Sequence, residues 1–122
     1  MIIPMLSPEY LLVYVTFPET EPERGKILRD AETFCETLVR ERLASGGTVL
    51  HGGSSVYWWR GSLQTARECV CLLQTTRTIF PAFLIRAKAI HPYEVPCIAA
   101  LPLDQGNNDF FAWIKTETAL RD

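Results

Sequence analysis

The sequence predicts an α+β sandwich of order βαββαβ followed by an extra C-terminal helix. Three observations carry that prediction. Apolar runs rich in β-formers alternate in this order with segments of helical periodicity. Gly and Pro punctuate the chain wherever one element must give way to the next. The first, third and fourth strands are apolar on successive residues, the pattern of strands buried on both faces. At 122 residues the chain fits one domain of ordinary size, large enough to bury a core without staples. Residues 1–9 read as an N-terminal tail and 10–122 as the single domain.

Leu11-Leu12-Val13-Tyr14-Val15-Thr16-Phe17 forms the first strand, stopped by Pro18. Thr20 followed by Glu23 has capping-box spacing, with Pro22 in the first turn where its missing N–H does little harm. The helix that starts there carries Ile27, Ala31, Phe34 and Leu38, flanked by Leu28, Cys35, Val39 and Leu43, as one apolar stripe. Arg29, Glu32, Glu36 and Arg40 face water, and Gly46-Gly47 end the helix. Thr48 to Trp59 is a long strand with a bulge at Gly52-Gly53, Arg60-Gly61 is a turn, and Glu68 to Thr75 is the returning strand. Thr78 caps a second helix with Pro81 in its first turn and Ile79, Phe83, Leu84, Ala87 and Ile90 on its inner face. Cys97 to Leu101 is the fourth strand, ended by Pro102. Asn107 or Asn108 caps a last helix anchored by Trp113. This order is the split βαβ arrangement of a ferredoxin-like domain with one added helix.

Two helices cover only one face of a four-stranded sheet, so the second apolar face needs a cover that the chain cannot supply. Another copy of the chain, in closed rotational symmetry, is the economical answer.

A net charge of −2 and a pI near 5.7 offer no broad basic surface, which argues against nucleic-acid binding by phosphate neutralisation. Met1-Ile2-Ile3-Pro4-Met5-Leu6 lacks the basic start and sustained apolar run of a signal peptide, and no apolar stretch reaches the ~20 residues that span a bilayer. A cytoplasmic protein with no membrane partner is the expectation. Cys35, Cys69, Cys71 and Cys97 read as buried free thiols. Cys69 and Cys71 point to one face of their strand, either as small core hydrophobes or as a pair suited to a soft metal.

The densest chemistry lies in His91-Pro92-Tyr93-Glu94-Val95-Pro96, where two prolines stiffen a segment bearing an imidazole, a phenol and a carboxylate. His91 and Glu94 offer a nitrogen and an oxygen at close spacing, a mixture suited to Cu(II), Zn(II) or Ni(II). The competing structural role for His91 is a cap on the carbonyls that end the second helix. His51, beside Gly52-Gly53, reads as a solvent-facing or hydrogen-bonded residue rather than a ligand. Tyr57-Trp58-Trp59 cannot all enter one core, because alternation sends Tyr57 and Trp59 one way and Trp58 the other. Such an aromatic patch marks a subunit interface, or an aromatic wall for a small ligand near Tyr93 and Glu94. The chain has no Gly-x-Ser-x-Gly, P-loop or dinucleotide fingerprint, and it does not read as an enzyme.

Taken with Tyr57-Trp58-Trp59-Arg60-Gly61 and Gly106-Asn107-Asn108-Asp109-Phe110-Phe111-Ala112-Trp113-Ile114, the His91 segment resembles the CutA family of divalent-cation tolerance proteins. The similarity runs from about Tyr14-Val15-Thr16 to Trp113-Ile114. The resemblance implies a homotrimer that binds or responds to copper(II) or another divalent metal ion, with no cofactor required for folding. His91 and Glu94 are then the retained metal ligands. The chain departs from the family pattern at Ser45-Gly46-Gly47, where alanine, cysteine and valine are usual, so a thiol is missing at Gly46. Gln74-Thr75 replaces a Lys-Thr pair, and Cys97 replaces an acid. An alternative function is that of a small-ligand sensor or interaction module like the PII signalling proteins. Its inter-subunit cleft would be lined by Tyr57, Trp59, Gln74, Tyr93 and Trp113, with Glu94 at the rim.

Overall fold

Of the three strands expected to be buried on both faces, β1 (Tyr10–Pro18) lies inside the sheet between β3 and β4, whereas β4 is an edge strand with partly exposed residues. The computed structural model describes residues 9–19 and 30–120. After β1 come α1 (Asp30–Arg40), β2 (Gly46–Trp59), β3 (Ser62–Thr76), α2 (Phe80–Ile90), β4 (Ile98–Pro102) and α3 (Asn108–Glu117). The four strands form one antiparallel sheet of order β2-β3-β1-β4, the ferredoxin-like arrangement. The expected capping box at Thr20, Pro22 and Glu23, the stripe residues Ile27 and Leu28, the water-facing Arg29, and all of the tail but Glu9 lie outside the described residues.

Val13, Val15 and Phe17 of β1 alternate onto the helix face, where they meet Cys69, Cys71 and Leu73 of β3, Phe34, Cys35 and Leu38 of α1, and Phe83 and Ala87 of α2. Burying each large apolar side chain there contributes about 1.5–3 kcal/mol before the entropy of ordering it. The opposite face carries Leu12, Tyr14, Val70 and Leu72, all only half-buried. α3 covers one end of that face, with Phe111 stacked on Tyr10 at 4.8 Å between ring centroids. Beyond the helices the long hairpin is bare as well: Val56, Trp58 and Leu63, on the side that faces the helices further along the sheet, are 65%, 73% and 59% exposed.

Local signals placed the hairpin well. The register shifts between Leu50 and Gly53, and Gly52 takes φ +84°. A Cβ on Gly53 would meet the Glu68 carbonyl oxygen at 2.5 Å, so only glycine fits there. Arg60 and Gly61 both have positive φ, as a two-residue turn of matching twist demands.

Five expectations need correction. Gly46-Gly47 do not end α1; they open β2, and Arg42, at φ 64°, makes the turn. Leu43 N–H donates to the Leu38 carbonyl and Arg42 N–H to that of Val39, a Schellman closure that satisfies the last carbonyls without glycine. β3 begins at Ser62 rather than Glu68, because pairing with β2 carries through to the turn. Thr78 does not cap α2; the Thr76 hydroxyl accepts the Ile79 N–H at 3.3 Å. Trp113 is 42% exposed, and Ile114, fully buried, is the anchor of α3. Cys97 is exposed, because β4 starts one residue later; the other three cysteines are buried, and all four are free thiols.

Candidate functional site

The His91–Cys97 connection runs alongside the part of β1 that β4 does not reach, and both of its ends are fastened to one residue. His91 Nε2 donates to the Thr16 carbonyl oxygen at 2.7 Å, and Thr16 N–H donates to the Cys97 carbonyl at 3.3 Å. His91 ends α2 with extended backbone, as the following proline requires. Its Nδ1 accepts the Tyr93 N–H at 3.1 Å, which assigns the neutral Nε2–H tautomer. Phe17, Phe34 and Tyr93 surround the ring with centroids 5.1, 5.7 and 4.9 Å away. Burial holds the imidazole below its usual pKa, against the smaller opposing pull of the Thr16 carbonyl and of Glu68.

Tyr93 and Glu94 then diverge. The Tyr93 hydroxyl donates to Glu68 Oε2 at 2.9 Å, and burial, followed by that carboxylate, raises the phenol well above its ordinary value. Glu68 is itself buried, and the phenol satisfies one of its oxygens. Glu94 turns outward to Arg60 at 2.9 Å, with both side chains 69% exposed. Arg60 also lies over the Trp59 ring at 5.1 Å. Between them opens a concavity of about 760 Å³ lined by Tyr57, Trp59, Glu68, Tyr93 and Glu94.

Of the residues expected to line a ligand cleft, Tyr57, Trp59 and Tyr93 come together there. Gln74 and Trp113 lie apart from them, at the α3 end of the same sheet face. A Cβ on Gly46 would lie 3.2 Å from both Gln74 Oε1 and the Trp113 ring, so glycine at this position goes with the packing of that tryptophan. As for a metal, both nitrogens of His91 are committed to backbone groups, whereas the Glu94 carboxylate is open to solvent apart from Arg60.

A second cluster escaped the sequence reading. His51 is exposed and hydrogen-bonded, as expected, but its partners gather from three other elements. Nδ1 lies 3.2 Å from both Glu19 Oε1 and Cys69 Sγ, and Nε2 lies 2.5 Å from Glu32 Oε1. Both oxygens of Glu19 accept the Gly52 N–H, at 3.1 and 3.0 Å. Hydrogen bonding to Glu32 is the main cause that raises the imidazole pKa, and Glu19 adds to it. Burial first, and Glu19 next, push the Cys69 thiol up to about 11. The one hint in the sequence was Gly52-Gly53, which marks a bulge beside His51.

A family model described as CutA1 divalent ion tolerance protein matches residues 11–117. A divalent-cation tolerance protein CutA of Thermus thermophilus is 36% identical over 107 residues, spanning 88% of this chain and 96% of its own length. One from Pyrococcus horikoshii is 32% identical over 108 residues, spanning 88% and 97%. Among solved structures, the divalent cation tolerance protein of Thermus thermophilus superposes with a TM-score of 0.81 at 34% identity, over 90% of this chain and 99% of that one. CutA1 from Oryza sativa gives 0.80 at 30% identity, over 93% and 96%. Among the described residues no helix is long and apolar enough to cross a membrane. A match that takes in every strand and helix of the domain, at this identity, carries one conclusion: the chain belongs to the CutA1 family of divalent-ion tolerance proteins.

Proposed function

We propose that this chain is a homotrimeric cytoplasmic protein of divalent-cation tolerance that binds copper(II) or another divalent ion, acting as a binding protein rather than an enzyme. The observation that carries the reading is the intact His91–Glu94 segment, held rigidly at the rim of a concavity in a chain of this family. Glu94 is the ligand with coordinating capacity to spare. His91 joins it if its bond to Thr16 opens; otherwise it holds the segment in place. Self-association is supported by the half-bare second sheet face and by exposed Val56, Trp58 and Leu63. Calorimetric titration of Cu(II) into wild type, Glu94→Gln and His91→Ala, each matched for oligomeric state, tests the assignment. Binding that Glu94→Gln weakens supports it, and identical isotherms for all three sink it.

The second reading, a small-ligand sensor with a PII-like inter-subunit cleft, is favoured by the size of the concavity and by its aromatic lining. About 300–1,000 Å³ is the ordinary range of small-molecule sites. It predicts thermal stabilisation by organic anions or nucleotides and indifference to copper.

A further inference from the structure

We propose that Glu19, His51 and Cys69 form a binding site for a borderline divalent transition-metal ion, with Zn(II) the best fit. The site shares no residue with the His91 segment and stands independently of it. The three ligand atoms all lie within 4.8 Å of one another. With metal–nitrogen and metal–oxygen bonds of about 2.0–2.1 Å and metal–sulfur bonds of about 2.3 Å, tetrahedral angles place N and O about 3.3 Å apart and N and S about 3.6 Å apart. His51 Nδ1 already stands 3.2 Å from each of its two neighbours, so two of the three ligand–ligand spacings are near those an ion requires.

The backbone builds these positions. Alternation along β2 puts His51 on the same face as Val49, which packs on the core, and His51 stands at the bulge, where regular pairing stops at Leu50 and resumes at Gly53. Gly52 N–H holds the Glu19 carboxylate, while Glu19 N–H donates to the Arg67 carbonyl, so Glu19 is fastened at both its backbone and its side chain. Cys69 is fixed within β3 opposite Phe17. Glu32 engages His51 Nε2 and so turns Nδ1 towards the other two ligands, the carboxylate–histidine–metal arrangement that orients ligating imidazoles.

The donor set selects the ion. A thiolate excludes Mg(II) and Ca(II), which take oxygen, and one sulfur among three donors does not meet the all-soft preference of Cu(I). A nitrogen, an oxygen and a sulfur leave a tetrahedral ion one open position for water. On binding, the Cys69 thiol, and His51 where it is protonated, release their protons to solvent as the metal–sulfur and metal–nitrogen bonds form. No electron moves.

The test uses Co(II) as a spectroscopic probe, titrated anaerobically into the reduced full chain and then displaced with Zn(II). The expected result is a thiolate-to-cobalt charge-transfer band in the near ultraviolet with intense four-coordinate visible bands, saturating at one ion per chain and bleached by Zn(II). Cys69→Ser and Cys69→Ala abolish the band. Glu32→Gln keeps it but weakens affinity about 10–100-fold, as loss of an orienting partner does. His51→Gln and Glu19→Gln, both outside the buried core, each weaken binding at least as much. A wild-type protein that takes up Co(II) without the band, or takes up none, overturns the site. Co(II) binding without the band that responds to Glu94→Gln leaves the His91–Glu94 reading standing alone, and the band with no response to Glu94→Gln does the reverse.

Discussion

Thr16 is gripped from both sides by the connection that carries His91: its carbonyl receives the imidazole at 2.7 Å, and its N–H reaches the Cys97 carbonyl at 3.3 Å. β4 stops pairing at Val15, so these two bonds satisfy the edge of β1 where the sheet no longer does. His91→Ala removes a buried ring and leaves a buried carbonyl unpaired. We expect a loss of about 2–4 kcal/mol in denaturant unfolding at fixed protein concentration. A change below about 0.5 kcal/mol would show that the ring is not structural.

The two histidines titrate in opposite senses. His91 has its pKa lowered by burial, so its contribution to stability is present above the ordinary imidazole value near 6.5 and falls as the pH drops below it. His51 has its pKa raised, first by Glu32, so its contribution is full below 6.5 and is lost as the pH rises through the raised folded value. The gap in melting temperature between wild type and His51→Gln should therefore widen on acidification from about pH 9 to about pH 6. A gap that widens towards alkaline pH would reverse the assignment.

Gly53 tolerates no side chain, since a Cβ there falls 2.5 Å from a backbone oxygen that cannot yield without breaking the pairing of β2 with β3. Gly53→Ala should cost about 2–3 kcal/mol and speed amide exchange on both sides of the bulge. Gly52→Ala meets no atom but takes on the strain of φ +84°, about 1–2 kcal/mol. Equal, negligible effects would mean that the bulge is not fixed by these glycines.

Trp58 is the most exposed of the hairpin aromatics, and the proposed oligomer would bury it. Trp58→Glu should shift sedimentation equilibrium from three chains towards one, and a wild type that sediments as a monomer refutes the trimer outright.

The Arg60–Glu94 pair is exposed on both sides, so Arg60→Ala should change stability by less than about 0.5 kcal/mol. In cation titrations the same substitution frees Glu94 and should strengthen binding. Weaker binding would place Arg60, not Glu94, at the ligand.

The sequence by itself determined what depends on neighbours along the chain. Pro18 stopping β1, glycines forcing the bulge at Gly52-Gly53, Arg60-Gly61 turning the hairpin and Asn107 accepting the Asp109 N–H at 3.1 Å are all events within a few residues. The His91 segment was legible for the same reason: two prolines and a histidine state their constraint locally. Tertiary structure decided the rest. Arg42 could replace glycine at the end of α1 only because its carbonyl accepts the Ala119 N–H and its guanidinium meets Glu117, contacts made from the far end of the chain. Thr76 rather than Thr78 receives the Ile79 N–H ahead of α2, because β3 runs on to it in register with Tyr10. Glu19, His51 and Cys69 come from three strands or their ends, and no spacing announces them. They meet because a β-sheet brings distant segments side by side, a relation set by register and packing and invisible to periodicity.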